Sequence, residues 1–263
     1  MPPLFTIPGI VTGRALGLIF IITLFVLVIY HLRLKKQLYV RRVPGLDAIE
    51  DAIGRATEMR KPVVASYGIG GLTYSTIVGL TILSHVARLC AKTNTRLIVP
   101  TGGGDASLVT RPIAQDIVKQ AFIAEGRPEM YTDDDLPFYS GQQYAYTGGY
   151  IGVLQRARPG VLVMTGSHAS ETLNIAETGN WVGAIVITAA TSVSYAAFLV
   201  CASDYCLIGE ESPAAGAYLS DDPSQRASIR CQDIFKGVAL ALLISGLVLI
   251  GMGNTVISNL LLS

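Results

Sequence analysis

Pro62-Val63-Val64-Ala65-Ser66, then Gly68-Ile69-Gly70-Gly71, then a run with apolar residues at Ile77, Leu80, Val86 and Leu89, is the stretch that decides the fold. A short β-branched run without polar alternation reads as a strand buried on both faces, and the glycine turn and helix behind it make the first half of a βαβ unit. The unit recurs downstream. Arg96-Leu97-Ile98-Val99-Pro100 is a second strand, followed by Thr101-Gly102-Gly103-Gly104-Asp105 and a helix from about Pro112 to Glu125. A polar loop over 126–140, with the acidic run Asp133-Asp134-Asp135, precedes a helix from Gln142 to Arg156. Gly160 to Met164 is a third strand, then Thr165-Gly166-Ser167-His168 and a helix to Thr178. Val182 to Thr188 is a fourth strand, with a helix to Ala202, and Tyr205 to Ile208 is a fifth, ending in Gly209-Glu210-Glu211-Ser212. Upstream, Asp47 is placed to cap a helix through Ile49, Ile53 and Met59, with Glu50 three residues on as in a capping box. The expected architecture is a three-layer α/β domain on a mostly parallel, Rossmann-like sheet.

In such sheets ligands bind beyond the carboxyl ends of the strands. The candidates there are Gly70, Gly71, Gly103, Gly104, Asp105, Thr165, Ser167, Thr191 and Glu210. They form a small, hydroxyl-rich rim beside several helix N-termini, whose free N–H groups favour an anion. Tight βα turns need glycine and helix caps need Ser or Thr, so the same pattern arises without a ligand. The chain has no Gly-Lys-Ser/Thr and no complete Gly-x-Gly-x-x-Gly.

A serine hydrolase is the sharper alternative. Ser167 or Ser170 begins a helix after a strand, His168 is the histidine on the rim, and Asp105, Glu171 or Glu210 could orient it. The opening order of strand, helix, strand and Gly-Gly resembles the Clp-protease and signal-peptide-peptidase folds, with Thr101 to Gly104 in the place of their oxyanion loop. Two adjacent residues, Ser167 and His168, seldom point into one site, and no Gly-x-Ser-x-Gly elbow is present. His31, His85 and His168 are far apart, and Cys90, Cys201, Cys206 and Cys231 lack Cys-x-x-Cys spacing, so no metal or cofactor is expected. The cysteines read as small buried hydrophobes in a reducing compartment.

Both ends of the chain are apolar. Ala15 to Tyr30 and Gly237 to Ser263 carry no charge, and each approaches the length that crosses about 30 Å of hydrocarbon as a helix. The expected division is a membrane segment over 1–32, a domain over 33–236 and a second span over 237–263. Arg33, Lys35, Lys36, Arg41 and Arg42 follow the first span, and Arg226, Arg230 and Lys236 precede the second. By the positive-inside rule the domain faces the cytoplasm from the cell membrane, with both termini outside. Net charge is +1, with no further basic run, so nucleic acid is not an expected partner.

Several strings resemble an uncharacterised prokaryotic membrane-protein family known only as a domain of unknown function. They are Pro44-Gly45-Leu46-Asp47-Ala48-Ile49-Glu50, Gly54-Arg55-Ala56-Thr57-Glu58-Met59, Thr95 to Pro100, Ala176-Glu177-Thr178-Gly179-Asn180 and Asp204 to Glu211. The resemblance implies a membrane-anchored cytosolic domain and supplies no catalytic residue. The expected function is a non-catalytic scaffold or subunit of a membrane assembly. Its partners would be the lipid bilayer and either further copies of itself or other membrane-complex subunits; the small-residue second span and the tyrosines at 139, 144, 146 and 150 suit such contacts.

Overall fold

The computed structural model describes residues 44–105, 107–168, 170–190, 193–219 and 223–251, together with residues 22, 23, 25–27, 29 and 30. It forms two units, one over 41–220 and one from the two ends of the chain. Most of the first expected span lies outside the described residues; those within it are helical, and Phe25, Val26 and Ile29 are exposed.

Helix α1 (Pro44–Glu58) opens the larger unit. Proline suits the first helical turn, because its missing N–H would have no partner there. Asp47 lies inside that turn, so the expected cap is corrected: its carboxylate answers the helix dipole instead. Leu46, Ile49, Ala52, Ile53 and Ala56 recur at three- and four-residue spacing and are all buried.

Strand β1 (Val63–Gly68) and helix α2 (Tyr74–Thr93) follow, with Thr73 capping α2 through the Thr76 N–H. Next come β2 (Leu97–Ile98) and α3 (Ser107–Ala124). Helix α3 begins a turn earlier than the sequence suggests and carries Pro112 inside it. Short 3-10 turns at Pro128–Met130 and Asp133–Asp135 lead to α4 (Gln143–Ala157). The last elements of this unit are β3 (Val161–Ser167), α5 (Glu171–Trp181), β4 (Ile185–Ala190), α6 (Val193–Ala202), β5 (Tyr205–Ile208) and α7 (Glu211–Leu219).

All five strands run parallel in the order β2-β1-β3-β4-β5. Successive side chains divide between the faces. Val63, Ala65, Tyr67, Val161, Val163 and Ile187 join one buried cluster with α1, α2 and α3. Val64, Leu162, Met164 and Val186 join another with α4 and α5. The chain therefore crosses from one face to the other between β1 and β3, and this is the topological switch point, where doubly wound sheets take their ligands.

Register is broken there. Ser66 pairs with Met164 but Gly68 with Ser167, so β3 carries one residue more than β1 over this step. The bulge is built on Gly166 at φ +91°, a left-handed conformation that glycine adopts without strain.

Two helices among the described residues are long and apolar enough to cross a membrane, Tyr74–Thr93 and Arg226–Val248. The first is α2, whose apolar window is 56% buried, as a core helix requires. The second lies in α8 (Pro223–Gly251), where only 11% of the window is buried. Leu240, Leu243, Leu247 and Val248 are all exposed there. One unbroken helix thus joins the amphipathic stretch after Ser224 to the apolar one.

Candidate functional site

Ser66 is the polar residue of an otherwise apolar strand core, and it is 2% exposed. A buried hydroxyl needs partners. Ser66 Oγ accepts the Gly68 N–H at 3.2 Å, lies 3.3 Å from the Tyr146 hydroxyl and 3.2 Å from His168 Nε2. Strand β1, helix α4 and the end of β3 therefore meet at one oxygen.

His168 is nearly closed off, its side chain 5% exposed. Its Nδ1 lies 3.4 Å from Glu171 Oε1, close but short of a well-formed hydrogen bond. Glu171 is itself buried in the first turn of α5, where its other oxygen accepts from Gln143 Nε2. A carboxylate facing Nδ1 favours the proton on that nitrogen, which leaves Nε2 to accept from the Ser66 hydroxyl. Serine, histidine and carboxylate thus stand in the order used by acid–base relays. Burial holds the Tyr146 phenol protonated well above the usual tyrosine range, so it acts on Ser66 as a neutral group and also points to the Pro100 carbonyl at 3.5 Å.

The rim residues divide by role. Thr165 is buried and donates to the Ser66 carbonyl at 3.1 Å, so it ties β3 to β1. A Cβ on Gly70 would lie 2.3 Å from Ser167 Oγ, and one on Gly103 would lie 2.4 Å from the Ile69 carbonyl, so these loops interlock through close backbone approach. The Gly71 carbonyl accepts from the Thr73 N–H and the Thr76 hydroxyl, and the Gly104 carbonyl accepts from Ser107. Asp105 and Glu210 are exposed, and Thr191 lies outside the described residues. His168 reaches Ser66 rather than Ser167 or Ser170, and of the acids proposed to orient it Glu171 is the one in contact. Ser170 is exposed and precedes α5 without a capping bond; its hydroxyl accepts from Gln143 Nε2 at 3.3 Å.

Read from end to end, the chain belongs to the family described as Domain of unknown function (DUF6754). The family model matches residues 10–261, which covers both apolar ends as well as the α/β unit. No curated protein and no solved structure matches this DUF6754 chain.

Other features of this DUF6754 domain were not legible from spacing. Asp135, read as part of a solvated loop, is buried; its Oδ1 accepts from Arg96 Nε at 2.9 Å and Nη2 at 2.7 Å, and its Oδ2 from Thr132. Cys90 and Cys231 are buried as expected, whereas Cys201 is exposed. Tyr150, fully buried against Tyr146 in an edge-to-face pair, has no hydrogen-bond partner for its hydroxyl among the described residues. Removing an unpaired buried hydroxyl relieves its desolvation, so Tyr150→Phe is expected to be neutral or to stabilise by about 1 kcal/mol in chemical denaturation. A loss of that size instead would mean that a bound water serves the hydroxyl.

Proposed function

We propose that this chain is a membrane-anchored protein whose Rossmann-like domain binds a small anionic ligand at the β1–β3 switch point and exchanges a proton with it through His168. The observation that carries the reading is His168 held between Ser66 and Glu171 at the place where this sheet order puts ligands. A histidine oriented by a carboxylate is the commonest side-chain base. An anion is the favoured class because the switch point lies at the N-terminal end of α5, where the helix dipole favours negative charge. The apolar stretch of α8 supplies the anchor, and the basic flanks of both spans favour a domain on the cytoplasmic side with the termini outside.

Inorganic phosphate and simple phosphate monoesters are the first probes, added to the detergent-purified full chain. Saturating probe is expected to raise Tm by about 5 °C or more and to shift the His168 imidazole resonances followed by NMR. Ser170→Asp puts a carboxylate at the helix cap; it should preserve or strengthen the fold and abolish both responses. Full retention of the responses in that variant, or no response in the parent chain, overturns the reading.

A second reading, the non-catalytic scaffold, is favoured by the interlocked loops around Gly70 and Gly103, which fill the strand ends with the chain's own backbone. It predicts an oligomer in mild detergent and no ligand response.

A further inference from the structure

At the opposite end of the sheet, before β1 and β2 begin, lies a cavity of about 520 Å³. That volume is in the range of small-molecule sites. Four cations line it: Arg60 and Lys61 from the segment after α1, Arg96 from the entry to β2, and Arg156 from the last turn of α4. Among the described residues no carboxylate lines it. Arg96 is held by Asp135, while Arg60, Lys61 and Arg156 have no ion pair among the described residues. A smaller cavity shares Arg96 and Arg156 and opens towards Asp134 and Asp135.

The helix ends that frame this cavity are unusual in composition. Helix α1 closes with Lys61 N–H bonded to the Ala56 carbonyl and Arg60 N–H to that of Thr57; α2 closes in the same way, through Thr95 to Cys90 and Asn94 to Ala91. Both are Schellman closures, whose turning residue is left-handed and usually glycine. Here those residues are Arg60 at φ +53° and Asn94 at φ +58°. Arg158 turns the end of α4 at φ +41° but does not line the cavity. A cation at a helix C-terminus answers the exposed carbonyls. That explanation asks for one charge per helix and says nothing of Arg96, which enters a strand.

We propose that this cavity is a binding site for a small, multiply charged phosphate-bearing anion, separate from the switch point. The convergence of cations from three chain segments on one solvent-open cleft, with one carboxylate engaging one of them, supplies the recognition. Arginine forks and a lysine suit phosphate oxygens arranged around two phosphorus centres. The anion is either free in solution or the headgroup of a lipid that carries two phosphates, since both present the same oxygens.

Inorganic pyrophosphate titrated into the detergent-purified chain by calorimetry tests the site. Arg60→Gly is the decisive variant, because it removes a lining cation while placing glycine where the left-handed turn prefers it; its Tm should not fall, and its affinity should drop at least tenfold. Lys61→Gln should weaken binding similarly. Arg158→Gly, which removes the same charge and the same strain outside the cavity, should bind as the parent does, and Ser170→Asp should as well. In the second arm, nanodiscs containing cardiolipin, whose headgroup carries two phosphates, are compared with nanodiscs of phosphatidylcholine. An Arg60-dependent gain in Tm confined to the anionic discs, without a pyrophosphate response, assigns the headgroup as ligand. The proposal is overturned if neither probe gives a saturable response, or if Arg60→Gly and Arg158→Gly respond alike.

Discussion

Gly166→Ala is expected to destabilise the domain by about 4 kcal/mol or more, enough to leave little folded protein at physiological temperature. Two effects act in the same direction. The φ of +91° is unfavourable for any residue with a side chain, and the added Cβ would lie 1.9 Å from the Tyr67 carbonyl oxygen. That oxygen belongs to the neighbouring central strand, so relief requires the β1–β3 ladder to part. Gly183→Ala is a suitable comparison: its φ is +78°, yet no atom lies within 4 Å of the point its methyl group would occupy. It should lose only the conformational part, about 1 kcal/mol or slightly more. Urea denaturation of both proteins measures the difference, and equal losses would remove the clash from the account.

Tyr146→Ala should lose about 3–5 kcal/mol, whereas Tyr146→Phe should lose only about 1 kcal/mol. The ring is buried, rests on Gly102, where a Cβ would lie 2.2 Å from its Cδ2, and meets Tyr150 edge to face. Volume therefore accounts for most of its contribution. The hydroxyl adds its contact with Ser66, but Ser66 keeps the Gly68 N–H and His168 when it is lost. A Phe variant as damaged as the Ala variant would show that the polar network, and not the packing, holds α4 against the sheet.

The fold was legible because its signals are local. Strands β2, β3 and β4 are short runs rich in Val, Ile and Leu, β1 follows Pro62 and β5 ends at Gly209, and α1 and α2 keep the apolar spacing of a helix. Boundaries moved where the chain is used twice. Val182 and Gly183 close α5 through bonds to Thr178 and Asn180, so β4 begins at Ile185. Thr165-Gly166-Ser167, read as a turn, continues β3 through its bulge. The site was half legible. His168 and Glu171 stood on the expected rim, but Ser66 was hidden inside a strand, and nothing local reveals that its face is shared with α4. Its signal was the hydroxyl itself, a polar group in a run with no other. The Arg96–Asp135 pair was missed for a related reason: three consecutive acids look solvated until a distant arginine is brought to one of them.

The extra residue in β3 has a consequence for length variation. Because side chains alternate along a strand, deleting one position between Met164 and His168 would exchange the layers seen by the end of β3, and the imidazole would turn from the α4 side towards α2. Chains of this fold that are one residue shorter here would need a different partner for the serine, whatever residues they keep. Loop length at this point is thus as restrictive as residue identity.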